Sequence, residues 1–273
     1  PAPLKKPREI VIAGAAGGVG QQIVRHGHMR GLDVVCPTRE EMNITDLEAV
    51  EAAARRNRPW AVINAAGIGH QGEAVKRNGF GVNSLGAENL AKICSRREIP
   101  FLTFSSARVF DGALGRPYVE GDEPCPTCLF GGRKADAERR VLKAHGGALV
   151  VRASRLFGPS EEPEALLAAA GAELDGRHFL SATYAPDLVR AALDLFIDGE
   201  TGQWHLSNQG AVSLDEFGKL FSPAASAHSM PQRLVVLGSE RGSVMPSLRD
   251  ALERLQEIVR RRRESENFAV AAE

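Results

Sequence analysis

Neither sign of charge is in excess: lysine and arginine together number 34, aspartate and glutamate 34. No overall field therefore draws the chain to nucleic acid or to an acidic membrane. No apolar run approaches the ~20 residues needed to cross a bilayer. The opening Pro1-Ala-Pro-Leu-Lys-Lys-Pro7 lacks the apolar stretch of a secretory signal, which predicts a cytoplasmic protein. Pro1 in place of Met predicts a processed or trimmed start. Cysteine is scarce, and four in 273 residues exclude a disulfide framework. Cys125-Pro-Thr-Cys128 has the spacing of half a zinc site, but Cys36 and Cys94 stand alone, so no metal site is expected. Internal repeats and low-complexity segments are absent. Tyrosine is rare as well: Tyr118 and Tyr184 are the only two.

What the chain does have is an alternation of short apolar runs with amphipathic stretches, the pattern of a parallel sheet with helices on both faces. Strands are expected at 9–13, 33–36, 60–64, 101–105, 148–152 and 204–207. Helices are expected around Ile23 and Val24 ending near Gly31, after Thr45 or Asp46 to about Arg56, at 84–97 with Leu85, Leu90 and Ile93 inward, at 133–144, at 188–197 with Pro186 near its first turn, and at 248–263 with Leu248, Leu252, Leu255 and Val259 as its stripe. Polar loops are expected at 158–164 and 222–232. The run Arg260–Arg263 reads as a solvated helix end.

The first strand ends in Gly14-Ala15-Ala16-Gly17-Gly18-Val19-Gly20, which opens the first helix. A dinucleotide site needs glycine in such a turn. One permits the bend, one lets the backbone approach the pyrophosphate, and one lets helix and strand pack closely, while the helix N-terminus offers free N–H groups to the phosphates. The strand–turn–helix context makes this a Rossmann-type cofactor turn. After the second strand, Pro37-Thr38-Arg39 stands where an acidic residue would select NAD. Arg39 there favours the 2′-phosphate of NADP(H), the alternative being a solvated loop cation.

Further segments resemble dTDP-4-dehydrorhamnose reductases and their relatives among the extended short-chain dehydrogenases. They are Asn43-Ile44-Thr-Asp46, Ala61-Val-Ile-Asn-Ala65-Ala66-Gly67, Val82-Asn83-Ser-Leu-Gly86, Phe104-Ser105-Ser106-Ala-Arg108-Val109-Phe110-Asp-Gly112, Pro117-Tyr118, Glu120, Pro124, Val151-Arg152-Ala-Ser154, Thr183-Tyr-Ala-Pro-Asp187 and Gly202-Gln-Trp-His-Leu206. The glycine spacing Gly14, Gly17, Gly20 is also that of the extended group. The likeness runs from about Ile10 to Leu220. Its details, with Gly238-Ser-Glu-Arg-Gly242 and Met245-Pro246, look nearest to the reductase-like domains that some bacteria fuse to a family 1 glycosidase-like domain.

The resemblance implies a Rossmann-type α/β fold, a doubly wound parallel sheet with a smaller C-terminal substrate-binding lobe. Residues 8–154 would form the dinucleotide-binding domain. Residues 155–263 would form a mixed region completing the sheet and building the lobe, and 1–7 and 264–273 flexible termini. It implies cofactor contacts from Gly14, Ala16, Gly17, Gly18, Val19, Gly20, Thr38, Arg39, Asn43, Ile44, Ala65, Ala66, Gly67, Asn83, Ser105 and Lys134. A nucleotide sugar or other small molecule would meet Arg108, Val109, Phe110 and Arg152. In such reductases a hydroxyl residue, a tyrosine and a lysine act on a sugar ketone. By position these are Ser106, Phe130 and Lys134, so the tyrosine is replaced. A phenylalanine has no proton to give. Cys128 stands where asparagine is common, and Ala107-Arg108 where an Asp-Tyr-like pair is common, so the departure is not confined to one position.

Two readings stay open: a reductase with weakened or altered chemistry, and a catalytically silent module that binds NADP(H) or a nucleotide sugar. The family's relatives include a regulatory subunit of methionine adenosyltransferase, so the second has precedent by resemblance. No nucleic acid or membrane partner is expected; a protein partner or a homodimer is open.

Overall fold

The computed structural model describes residues 8–69, 79–158, 179–213 and 234–270. Expectations for 1–7, 159–164, 222–232 and 271–273 lie outside the described residues. Six strands, β1 (Glu9–Ala13), β2 (Asp33–Val35), β3 (Ala61–Asn64), β4 (Phe101–Ser106), β5 (Leu149–Ala153) and β9 (Gly202–His205), form one parallel sheet in the order β2-β1-β3-β4-β5-β9. Ile10 pairs with both Val34 and Ala61, Asn64 with Thr103, and Ser105 with Arg152. The chain steps outward from β1 to β2 and returns past β1 to β3. That reversal opens a crevice at the carboxyl ends of the strands.

The strands are buried on both faces, so they read as continuous apolar runs. Alternate residues serve two cores. Val11, Val62, Phe101 and Val150 pack under α2 (Leu47–Asn57), α3 (Ala87–Arg96) and α4 (Leu129–Ala144). Ile10, Ile12, Ile63, Leu102 and Val151 pack under α1 (Gly18–Met29) and α5 (Ala185–Ile197). Each fully buried Ile or Leu contributes ~1.5–3 kcal/mol. Smaller pieces flank the sheet. β6 (Arg155–Phe157) pairs with β8 (Ala182–Tyr184), and β7 (Phe179–Leu180) lies between β10 (Val212–Ser213) and β11 (Leu234–Val235). The last helix, α6 (Leu248–Val270), seats Leu248, Leu252 and Leu255 against Phe157 and Tyr184.

Four expectations need correction. Helix α4 starts at Leu129, not Arg133, because Cys128 caps it: Cys128 Sγ accepts the Gly131 N–H at 3.4 Å. Gly131 is needed there, since a Cβ would stand 2.0 Å from Arg108 O. Helix α3 is entered through a π-helical turn, Gly81–Gly86. Its i→i+5 bonding rotates the helix face, so Asn83 and Ser84 are buried while Leu85 is half-buried. Helix α5 starts at Ala185, with Pro186 in its first turn, where a missing N–H does no harm. Helix α6 continues past Arg263 to Val270, so 264–270 is helical rather than a flexible end. Arg260 and Arg261 there pair with Glu257, and Arg260 with Glu264. Among the described residues no helix is long and apolar enough to cross a membrane.

Candidate active site

Gly14 lies at φ +82°, a conformation L side chains rarely adopt, and a Cβ there would stand 2.5 Å from the Ala66 backbone. A Cβ on Gly20 would stand 2.2 Å from Gly14 O. These two positions tie β1, α1 and the end of β3 into one tight joint. Gly18 differs, because a Cβ there would meet nothing within 4 Å. Helix α1 begins at that residue with Gly17 as its N-cap and no side-chain cap, whereas Asp46 caps α2 by accepting from Glu48 and Ala49 N–H. The first-turn N–H groups of α1 thus keep their donor capacity. An open approach, uncapped donors and the helix dipole fit the pyrophosphate of a dinucleotide.

The segment after β3 is held by asparagines. Asn64 Nδ2 donates to Thr103 Oγ1 at 3.1 Å, and its Oδ1 accepts the Ala66 N–H at 3.1 Å. Asn83 accepts the Ile68 N–H at 2.7 Å and donates to Ile68 O at 2.8 Å. Gly67 is enclosed by both neighbours of the crevice. A Cβ on it would lie 3.4 Å from Asn83 Oδ1 and 3.8 Å from Lys134 Nζ. Lys134 in turn donates to Phe104 O at 2.8 Å, two residues before Ser106. Burial pulls its ammonium down to about 8, opposed by the Glu138 carboxylate one helical turn on. Phe130 lies one turn earlier, with its ring centroid 5.9 Å from Lys134 Nζ. Ser106 Oγ accepts the Arg108 N–H at 3.2 Å, which leaves its own O–H to donate. By strand alternation Ser106 shares the face of Leu102, the α1 side, to which the turn at Gly17 also leads.

Gly14, Ala65, Ala66, Gly67, Asn83, Lys134 and Ser106 thus form one line across the carboxyl ends of β1, β3 and β4. Ser105 is buried beside them, and its hydroxyl has no partner among the described residues. Thr38 and Arg39 are exposed on the turn after β2, and Ile44 is buried beneath α3 with Asn43 half-buried beside it. Not every residue expected at the substrate faces the crevice. Val109 is wholly buried with Ala107, Tyr118 and Leu237. Arg152 is 1% exposed, and its guanidinium is committed to Glu138 (3.0 and 2.7 Å), Glu120 O (3.3 Å) and His205 Nε2 (3.2 Å). It lies 5.1 Å beneath the Phe110 ring, which stacks on Tyr118 at 4.2 Å. Arg152 is therefore a support under Phe110, not an arm into the crevice. Sequence reasoning missed this buried network and the two asparagine clamps. Tyr118, Glu120, Arg152 and His205 stood in segments singled out in the sequence, but nothing local joined them to one another or to Glu138.

Comparison with known proteins bears on the family and the fold. Residues 8–243 match the sequence profile of the RmlD substrate binding domain. The chain belongs to this family. A dTDP-4-dehydrorhamnose reductase of Mycobacterium tuberculosis is 31% identical over 246 residues, 84% of this chain and 79% of that protein. Among solved structures, a dTDP-4-dehydrorhamnose reductase of Bacillus anthracis in complex with NADP superposes with a TM-score of 0.79 at 22% identity, covering 91% of this chain and 97% of that one. The Bordetella bronchiseptica enzyme WbmG in complex with NAD superposes with a TM-score of 0.79 at 17% identity, covering 96% of each chain. At these identities the structural likeness speaks for the fold alone. The chain has two tyrosines, Tyr118 and Tyr184, and Phe130 stands four residues before Lys134.

Proposed function

We propose that this protein binds NADP(H) along the Gly14–Gly20 turn and a nucleotide sugar over Ser106, as a sugar-nucleotide reductase whose chemistry is weakened at Phe130, with Phe110, 3% exposed, packed in the wall beneath. The observation that carries the reading is the line from Gly14 through Ala66, Gly67 and Asn83 to Lys134, which bonds to Phe104 O on the strand that ends in Ser106. The described parts of the segments near 155–180 and 207–250 would contribute to the substrate lobe above it; 159–178 and 214–233 lie outside the described residues. Arg39 would favour the phosphorylated cofactor.

The cofactor, when bound, supplies a hydride to the sugar ketone. The chain's own residues then have three tasks. The Ser106 hydroxyl, fixed by the Arg108 N–H, donates to the ketone oxygen and orients it. Lys134, held by Phe104 O, would hold the cofactor's ribose. The third task is to deliver a proton to the forming alkoxide. Phe130 cannot do it, and a serine hydroxyl is a poor acid near neutral pH. A water in that place would be less well oriented.

Titration of the protein with NADPH and NADH tests the first half of the reading, and absence of binding by either sinks it. Turnover of NADPH with a dTDP-4-keto-6-deoxy sugar, wild type against Phe130→Tyr, tests the second. The tyrosine variant should gain about 10²-fold or more. Brisk turnover by the wild type would overturn the weakened chemistry. A second reading, favoured by Phe130 itself, is a silent binding module. Tight cofactor binding without turnover by either protein would select it.

A further inference from the structure

The turn after β2 is closed by reciprocal hydrogen bonds. The Thr38 N–H donates to Glu41 Oε2 at 2.7 Å, and the Glu41 N–H donates to Thr38 Oγ1 at 3.3 Å. This is the geometry of a capping box. Beneath it the Met42 N–H donates to Thr38 O at 3.0 Å, and the Met42 side chain is buried, so the turn is anchored in the core. Thr38, Arg39, Glu40 and Glu41 are all exposed. Arg39 makes no ion pair with the described residues, while Arg56 lies close enough to favour the Glu41 charge. Because β2 is the neighbour of β1, this turn flanks the glycine turn. In a Rossmann-type sheet the adenosine ribose is read at that place.

A 2′-phosphate and a 2′-hydroxyl ask opposite things of such a turn. The phosphate needs donors and positive charge. The hydroxyl can itself donate to a carboxylate. Arg39 meets the first demand. Glu41 meets the second, and it also occupies the backbone donor that a phosphate would use. We propose that Glu41 is a specificity-determining residue of the adenosine subsite, its carboxylate holding the Thr38 N–H and opposing a cofactor 2′-phosphate that Arg39 attracts. The preference between the two nicotinamide dinucleotides is then a balance of two adjacent side chains. This inference rests on the cofactor reading above.

Glu41→Gln separates charge from structure. Glutamine keeps the capping geometry and removes only the negative charge. Fluorescence titration of the full chain should give NADPH binding about 3- to 10-fold tighter in the variant, with NADH changed less than about 2-fold. The gain should shrink near 1 M salt, where the screening length is ~3 Å. Arg39→Ala should weaken NADPH and spare NADH. An unchanged ratio in Glu41→Gln, with both cofactors still bound, would overturn the inference and leave the cofactor reading intact. Weaker NADPH binding would do the same, by making Glu41 a support of the phosphate site. Failure of wild type and variant to bind either dinucleotide would remove both.

Discussion

At the residue scale, Lys134 carries its positive charge on a half-buried side chain. Its one hydrogen bond, to Phe104 O at 2.8 Å, does not replace a hydration shell, and burial lowers its pKa from 10.5 to about 8. The folded chain therefore gives up this proton more readily than the unfolded chain. Below about pH 8 the lysine is charged in both states and the cost of burying it is fully present. As the pH rises from about 8 towards 10.5, the unfolded chain holds more protons and the cost is relieved. The displacement corresponds to about 3 kcal/mol at pH 7, an order-of-magnitude figure, less ~1 kcal/mol for the hydrogen bond. Lys134→Met should then stabilise the cofactor-free protein by ~1–2 kcal/mol at pH 7, raising Tm by ~2–6 °C. The same change should weaken NADPH binding. A methionine variant that melts lower than wild type would show that the ammonium is better compensated than its surroundings suggest. The Phe130 ring, its centroid 5.9 Å from Lys134 Nζ, offers that ammonium no hydroxyl partner.

At the scale of elements, a charge pair fastens α6 to α5. Asp187, in the first turn of α5 and 2% exposed, accepts from Arg254 Nη1 and Nη2 at 2.8 and 2.6 Å and from Asn208 Nδ2 at 2.9 Å. Arg254 also lies 5.1 Å over the Tyr184 ring. Because the Arg254 side chain is 45% exposed, water screens part of the attraction. Asp187→Ala should still cost ~2–3 kcal/mol, since it strands the Asn208 amide and a half-buried guanidinium. Arg254→Leu should cost less than Asp187→Ala if it leaves a carboxylate that Asn208 still serves. Urea melts rank the two, and limited proteolysis should release α6 first in Asp187→Ala. Equal resistance of variant and wild type would mean that Leu248, Leu252 and Leu255 hold the helix alone. Little of this was legible beforehand. Thr183-Tyr-Ala-Pro-Asp187 was readable as a family segment, but its partner lies 67 residues away, and no local pattern connects them. The start of α4 was hidden for a related reason. Gly131-Gly132 argue against a helix locally, and only the approach of Arg108 O explains why glycine belongs there. The end of α6 was hidden because ion pairs at i,i+3 and i,i+4, not an apolar stripe, carry it past Arg263.

At the scale of the whole molecule, the parallel sheet was legible because strands buried on both faces write themselves as apolar runs, and the glycine turn because its constraints are steric. The small sheets were not: strands of two or three residues, such as β7 and β10, are shorter than any period. The segment 236–240 was legible only as part of the Gly238–Gly242 motif and not as a strap, yet it is tied to the sheet through buried polar groups. His205 Nδ1 faces Tyr118 O and Gly238 O at 3.1 and 2.9 Å, so that nitrogen carries the proton. Nε2 then accepts from Arg152 Nη1 at 3.2 Å, and the ring is neutral. Glu120 completes the joint by accepting the His205 N–H, the Ser239 hydroxyl and the Glu240 N–H. Burial lowers the His205 pKa, with the Arg152 charge adding to it and Glu120 opposing. Protonating Nε2 would set an N–H against the guanidinium and break the joint. The folded chain therefore resists a proton that the unfolded chain takes up near the ordinary value of 6.5. Stability from this group is fully present above that pH and is lost as the pH falls through 6.5 towards the lowered value. His26 shifts in the same direction, by burial and the neighbouring Arg30 and Arg25, but sits near the surface of α1. Thermal melts between pH 7.5 and 5.5 should show Tm falling for the wild type and for His26→Gln, with a shallower slope in His205→Gln. The window lies above the ordinary carboxylate range, so acid titration of Asp and Glu adds little to the slope. Parallel slopes in wild type and His205→Gln would mean that the buried histidine is not the group whose protonation loosens the strap.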